Sequence, residues 1–129
     1  SKVTEAIRAL ASEQVVVHGF VDDIAPAMDA ARISIAPLRY GAGVKGKVNM
    51  AMSYGLPVVA TPMAVEGMHV QSGKEVLIAE TAEAYADAII ALYDDEVLWQ
   101  RLSANGLDNV RAHFSFDAAE KAIRRIFGF

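Results

Sequence analysis

The sequence predicts an α/β fold with a Rossmann-like parallel sheet that carries helices on both faces. Short β-branched and aliphatic runs alternate with segments whose apolar residues recur at helical spacing. The strand-like runs are apolar throughout, which is typical of strands buried on both sides. Because parallel strands need crossovers, the helices between them indicate a doubly wound sheet.

The first half of the chain alternates predicted helices and strands. In order, these are a helix over 3–10, a strand over 15–17, a helix over 24–31, a strand over 33–36 and a helix over 47–54. Gly19 and Pro37 end the two strands. Asp22 or Asp23 caps the second helix, which tolerates Pro26 in its first turn.

The second half continues the pattern and then becomes helical. Strands are predicted over 58–61 and 76–79, and helices over 85–92, 97–110 and 117–127. Gly55 is expected to end the helix before the first of these strands, and Thr81 to cap the helix after the second. Asp117 and Glu120 resemble a capping box.

Composition excludes several classes of function. The chain has 129 residues, which suits one domain, and its 16 acidic and 12 basic residues show no basic concentration suited to nucleic acid. Cysteine is absent, so a disulfide framework and a thiolate metal site are excluded, and a reducing cytoplasm is expected. His18, His69 and His113 are far apart and lack partners at metal-ligand spacing, so no metal site is expected.

The start of the chain suggests a boundary inside a longer protein. It lacks methionine, and residues 1–11 do not have the layout of a signal peptide. No apolar run reaches membrane-spanning length. We therefore expect a fragment of a longer cytoplasmic protein, which can be peripheral to the inner face of the membrane.

A glycine-rich segment over 41–48 lies between a predicted strand and helix, where open α/β sheets bind ligands. It matches Gly-x-Gly-x-x-Gly, but residues 37–40 separate it from the strand. It also nearly matches a P-loop, except that Val48 stands where a hydroxyl would ligate magnesium. Glycines, helix-start amides and two lysines suit a phosphate or diphosphate, whereas a plain turn with solvated lysines is the alternative.

Five segments together resemble the donor-binding signature of the group-1 glycosyltransferase family. They are Val17-His18-Gly19-Phe20-Val21-Asp22-Asp23, Gly43-Val44-Lys45-Gly46-Lys47-Val48, the stretch over 51–61, Val65-Glu66-Gly67-Met68 and Glu75-Val76-Leu77-Ile78. The resemblance covers most of the chain. It implies a retaining, hexosyltransferase-like enzyme of GT-B fold, in which the C-terminal domain holds most of the nucleoside diphosphate sugar. This chain resembles that domain.

The resemblance also implies roles for particular residues. The backbone at Gly43 and Val44 would face the diphosphate, Lys45 or Lys47 would support it electrostatically, and Val21 would lie against the base. The implied diphosphate-binding residues are therefore Gly43, Val44, Lys45, Gly46 and Lys47, and Val21 is the implied neighbour of the base. No metal cofactor is implied. The expected partners are the nucleotide-sugar donor and an N-terminal acceptor-binding domain of the same parent protein.

The chain departs from the family at two positions. Members commonly carry paired glutamates that contact the sugar and the ribose, and the matching residues here are Ala42 and Met50. Neither side chain accepts a hydrogen bond from a hydroxyl, so Asn49 becomes the candidate near the ribose. Met50 itself is predicted to fill the core.

Three hypotheses about function follow. In the first, the parent transfers a sugar with retention, with surface polysaccharide or glycolipid synthesis as a family-level expectation, and the isolated fragment is inactive. In the second, loss of the glutamates leaves a non-catalytic nucleotide-sugar-binding or interaction module. The third is a dinucleotide-binding domain with Glu66 on the ribose. Related domains open with a further strand, and this chain is expected to lack it. We therefore also expect an exposed sheet edge and self-association through that edge.

Overall fold

The computed structural model describes residues 5–18, 22–38, 45–113 and 124–126. Its elements are α1 (Glu5–Arg8), α2 (Ala25–Ala30), β1 (Ser34–Ala36), α3 (Lys45–Ser53), β2 (Val58–Ala60), a 3-10 turn (Met63–Val65), β3 (Leu77–Ile78), α4 (Ala82–Asp94) and α5 (Glu96–His113). Residues 124–126 are also helical. Within these ranges no helix is long and apolar enough to cross a membrane.

The strands of the described residues form one parallel sheet in the order β1-β2-β3. Val59 of the central strand pairs with Ile35 on one side and Leu77 on the other. Side chains alternate between the faces of a strand, so Val58 and Ala60 pack with α3 and Val59 packs with α4 and α5. The predicted Rossmann-like α/β fold is therefore confirmed, with helices on both faces.

Each face of the sheet has its own hydrophobic cluster. On the α3 face the cluster contains Val48, Ala51, Met52, Leu56, Val58, Ala60, Ala64, Val65 and Val76. On the α4 face, the buried residues Val59, Leu92 and Leu102 are joined by the partly buried Tyr85 and Trp99. Burial of branched aliphatic side chains is the main term that stabilises such a layered domain.

Helix α5 runs along the amino end of the sheet. Its Ser103 hydroxyl donates to the carbonyl of Gly55, which precedes β2, at 2.7 Å. Its Arg101 Nε and Asn105 Nδ2 donate to the carbonyls of Gly73 and Lys74, which precede β3, at 3.2 and 2.9 Å. All three bonds satisfy loop carbonyls at the amino end of the sheet. Helix α5 therefore lies at the end opposite the carboxyl ends of the strands.

Helix α3 ends at the predicted glycine. The Leu56 amide donates to the Ala51 carbonyl at 3.0 Å, and the Gly55 amide donates to the Met52 carbonyl at 2.9 Å. These two bonds form a Schellman motif, in which Gly55 has a φ of 74°. The turn directs the chain from α3 straight into β2.

Replacement of Gly55 by alanine is expected to destabilise the chain by about 1–2 kcal/mol, because a Cβ is disfavoured in the left-handed region. The added Cβ would also lie 3.3 Å from the Ser103 hydroxyl oxygen. Urea denaturation followed by circular dichroism measures the change. Gly46→Ala is the matched control, because a Cβ there meets nothing within 4 Å; an equal loss in both variants would contradict the explanation.

One predicted strand was wrong. Residues 15–17 form no strand, and Val15 and Val16 are 45% and 68% exposed. Their start is held in a local turn, because the Ser12 amide donates to the Val15 carbonyl at 2.8 Å and the Val15 amide donates to the Ser12 hydroxyl. β-Branched residues become a strand only when a neighbouring strand pairs with them.

Other boundaries moved by a few residues. Within the described part of the predicted helix over 3–10, α1 covers Glu5–Arg8, and α3 begins at Lys45 rather than Lys47. The Thr81 cap is confirmed by its acceptance of the Ala84 amide at 3.0 Å, and Asp23 accepts the Ala25 amide at 3.0 Å. The proposed capping box of Asp117 and Glu120 lies outside the described residues.

Candidate functional site

The carboxyl ends of the three strands lie side by side. The Thr61 amide donates to the Ala36 carbonyl at 3.2 Å, and the Ala79 amide donates to the Ala60 carbonyl at 3.0 Å. These bonds continue the ladder just beyond β1, β2 and β3. The segments that leave the sheet therefore start from one common edge, which is where open α/β sheets bind ligands.

Thr61 joins two of these segments. Its hydroxyl donates to the carbonyl of Leu38, the last described residue before the glycine-rich segment. The same residue thus bonds to β1 through its backbone and to the connection after β1 through its side chain. Thr61 therefore fixes the direction in which the chain leaves β1.

An open cavity of about 690 Å³ occupies this edge. Its described lining consists of Leu38, Thr61, Pro62, Met63, Glu66 and Glu80. The residues come from the segments that follow all three strands. Its volume falls within the range of small-molecule sites, and its walls combine apolar side chains with a few polar ones, as such sites do.

A second cavity, of about 330 Å³, adjoins the first through Leu38. It is lined by Ile35, Ala36, Pro37, Leu38 and Lys47. Lys47 is exposed in the first turn of α3. The amides of a helix's first turn have no intrahelical acceptor, and the helix dipole adds partial positive charge there, so this cavity suits an anion.

The structure describes three of the five predicted diphosphate-binding residues. Gly43 and Val44 lie outside the described residues. Lys45 and Gly46 belong to the first turn of α3 rather than to the preceding loop, which corrects the predicted loop boundary. Lys47 is the side chain that the structure places beside the end of β1.

Of the residues predicted to lie near the base, the ribose or the sugar, the structure describes only some. Val21 and Ala42 lie outside the described residues. Asn49 is half-buried on α3, and its side-chain oxygen is buried without a hydrogen-bond partner among the described residues. A buried carbonyl oxygen without a donor is costly, and a ligand hydroxyl would satisfy it.

Met50 does not fill the core, contrary to prediction. Its side chain is 42% exposed, whereas Met52 is fully buried. Successive helical residues are offset by about 100°, so Val48, Ala51 and Met52 share the inner face and Met50 points away from it. The sequence pattern correctly indicated an apolar helix here, and the helix start set which methionine is inside.

Tyr85 takes a position that the sequence did not reveal. Its ring packs with Val59 and Leu92 as predicted, but its hydroxyl lies between β1 and β2. There it accepts the Ala36 amide at 2.9 Å and donates to the Val59 carbonyl. Burial raises the pKa of the Tyr85 phenol above its ordinary value of 10.0, and the Ala36 amide lowers it less.

Two of the three histidines lie together, although they are far apart in sequence. The rings of His69 and His113 stack with centroids 4.3 Å apart, and Asn109 donates its side-chain amide to the His69 carbonyl. Across the described ranges, no group of three or more His, Cys, Asp or Glu residues could hold a metal ion. The stack joins α5 to the segment that follows the 3-10 turn.

Comparisons with known proteins show the family and the fold of this chain. The profile of a family described as glycosyl transferases group 1 matches residues 1–95. A comparison with curated proteins gave no match. Among solved structures, the chain is similar to the C-terminal domain of LpcC, a glycosyl transferase group 1 family protein from Francisella tularensis.

That similarity has a TM-score of 0.68 at 21% sequence identity, and it covers 77% of this chain and 53% of the other. This chain therefore spans about half the length of that structure. At such low identity the likeness shows the fold, and the site must be argued from this chain's own residues.

Proposed function

Because the chain belongs to the group 1 glycosyl transferases, we propose that it binds the nucleoside diphosphate sugar for a protein that transfers the sugar with retention. The family supports a role in glycosyl transfer. Donor binding and stereochemistry are our extension of it, as is a second domain that holds the acceptor. In this proposal the isolated chain binds the donor without transferring the sugar.

The observation that carries the proposal is the junction of the two cavities at Leu38. One holds Lys47 at the start of α3, and the other extends across the carboxyl ends of the strands to Glu80. A diphosphate in the smaller cavity, beside Lys47, would leave its sugar facing the larger cavity. One extended ligand with an anionic centre and a polar sugar matches both.

The proposed chemistry is electrostatic. When the bond between sugar and diphosphate breaks, negative charge develops on the leaving diphosphate. Lys47 and the free amides of the first turn of α3 would stabilise that charge. Since these groups already supply positive charge, the proposal requires no metal ion.

A non-catalytic binding module is the second candidate. The two positions that match the family's paired glutamates are Ala42 and Met50, and neither side chain offers the carboxylate acceptor that binds a hydroxyl. Under this reading, the protein binds the nucleotide sugar but does not transfer it. Turnover of the donor by the longer protein, with this chain in it, would exclude the module.

The test is calorimetric titration of the chain with UDP and with GDP, for the wild type and Lys47→Glu. We expect saturable binding of at least one diphosphate by the wild type. Charge reversal removes a charge-assisted contact and adds repulsion, so the affinity should fall about tenfold or more. Higher salt should also weaken binding by the wild type.

Lys74→Glu is the matched control. It makes the same change of charge at an exposed lysine that precedes β3, at the opposite end of the sheet. Its affinity should stay close to that of the wild type. Failure of both diphosphates to bind, or an equal loss in the two variants, would contradict the proposed site.

A further inference from the structure

The two adjoining cavities differ in charge. The described lining of the larger one carries two acidic side chains, Glu66 and Glu80, and no basic one. Neither glutamate side chain forms a hydrogen bond or ion pair with any residue that the structure describes. The smaller cavity carries Lys47. Charge therefore changes sign along the line that joins them through Leu38.

This arrangement treats the two parts of a donor differently. The diphosphate is favoured beside Lys47 and the amides of α3. The sugar would then lie between walls that accept hydrogen bonds, since ionised carboxylates accept and cannot donate. Hydroxyl groups meet that requirement. A carboxylate on the sugar would instead add a third negative charge with no described cation beside it.

We propose that Glu66 and Glu80 restrict the donor to sugars without a negative charge and reject sugars that carry a carboxylate. The inference rests on the proposed function, because the cavity must first receive a nucleoside diphosphate sugar. It adds a reason for specificity: repulsion of an unwanted substrate contributes as much to selection as attraction of the right one.

The position of the two glutamates supports a role in selection. Glu66 follows the 3-10 turn after β2, and Glu80 lies two residues after the end of β3. They approach the cavity from two different segments, so one small rotation of a sugar does not remove its carboxylate from both. Both are exposed, so they can meet a ligand that arrives from solvent.

The experiment compares donors that differ only at C6 of the sugar. The chain is titrated with UDP-glucose and UDP-glucuronate, with GDP-mannose and GDP-mannuronate, and with UDP and GDP alone. We expect the uronate of the pair with the preferred base to bind about tenfold more weakly than its neutral partner. In the double variant Glu66→Gln, Glu80→Gln, the two should bind within about twofold.

Asp87→Asn, Glu96→Gln is the matched double control. It removes the same two charges from exposed positions of α4 and α5 that do not line the cavity. Discrimination should persist in it. The inference is overturned if the wild type binds neutral and carboxylated sugars equally, or if the Glu66, Glu80 variant discriminates as the wild type does. In either case, binding of UDP or GDP still upholds the proposed function. Failure of UDP and GDP to bind overturns both.

Discussion

Substitution of Gly106 by leucine should destabilise the chain by about 2–3 kcal/mol, because it forces apart the two helices that meet there. Gly106 is buried on α5, where a Cβ would lie 3.2 Å from Cγ and 3.5 Å from Cβ of Met52 on α3. Met52 is itself fully buried. The further carbons of leucine therefore have no free space, and α5 must move away from α3.

Urea denaturation measures this loss, and the control is Ala104→Leu on the same helix. Ala104 is exposed, so its replacement should change stability by less than about 0.5 kcal/mol. Since α3 also carries Lys47, we expect the Gly106 variant to bind diphosphate more weakly under conditions where it remains folded. A Gly106 variant as stable as the control would show that the helices do not need this close approach.

Replacement of Tyr85 by phenylalanine is expected to cost about 1–3 kcal/mol. The hydroxyl is the hydrogen-bond partner of both the Ala36 amide and the Val59 carbonyl, between two strands of the sheet. Removal deletes both hydrogen bonds, and each such bond contributes about 0.5–1.5 kcal/mol net to stability. Tyr93→Phe is the control, because Tyr93 is 60% exposed.

The Tyr85 variant also changes the dependence of stability on pH. Because burial raises the pKa of this phenol above 10.0 in the folded chain, its contribution is fully present below pH 10.0 and is lost as pH rises through the folded pKa. The difference in unfolding free energy between wild type and Tyr85→Phe should therefore shrink at strongly alkaline pH. A constant difference from pH 8 upwards would contradict this, with unfolding at each pH as the measurement.

Local signals in the sequence were sufficient for most of the elements. Gly55 ends α3, Thr81 caps α4, and the two aliphatic runs around Val59 and Leu77 are neighbouring parallel strands. Each signal acts over a few residues, through backbone conformation, capping or burial on both faces. Val15 and Val16 were misassigned because a strand also needs a partner, and a partner is not a local property.

The candidate site was located by sequence only in outline. The pattern of glycines and lysines pointed to the carboxyl edge of the sheet, and Lys47 lies beside that edge. Helix phase then excluded Met50 from the core. The sequence pattern gave Glu66 a role only on the ribose of a dinucleotide and gave Glu80 none, because nothing in the sequence shows that the two share one cavity.

The sequence by itself determined most of the described helices and strands, the end of α3 at Gly55 and the Thr81 cap of α4, since these depend on residues close together in the chain. Only the tertiary structure decided the contacts between distant segments. It brought the Tyr85 hydroxyl between two strands, Gly106 against Met52, and His69 onto His113. The physical reason is that such contacts depend on how helices cross the sheet, and crossing geometry is set by the packing of all the faces at once.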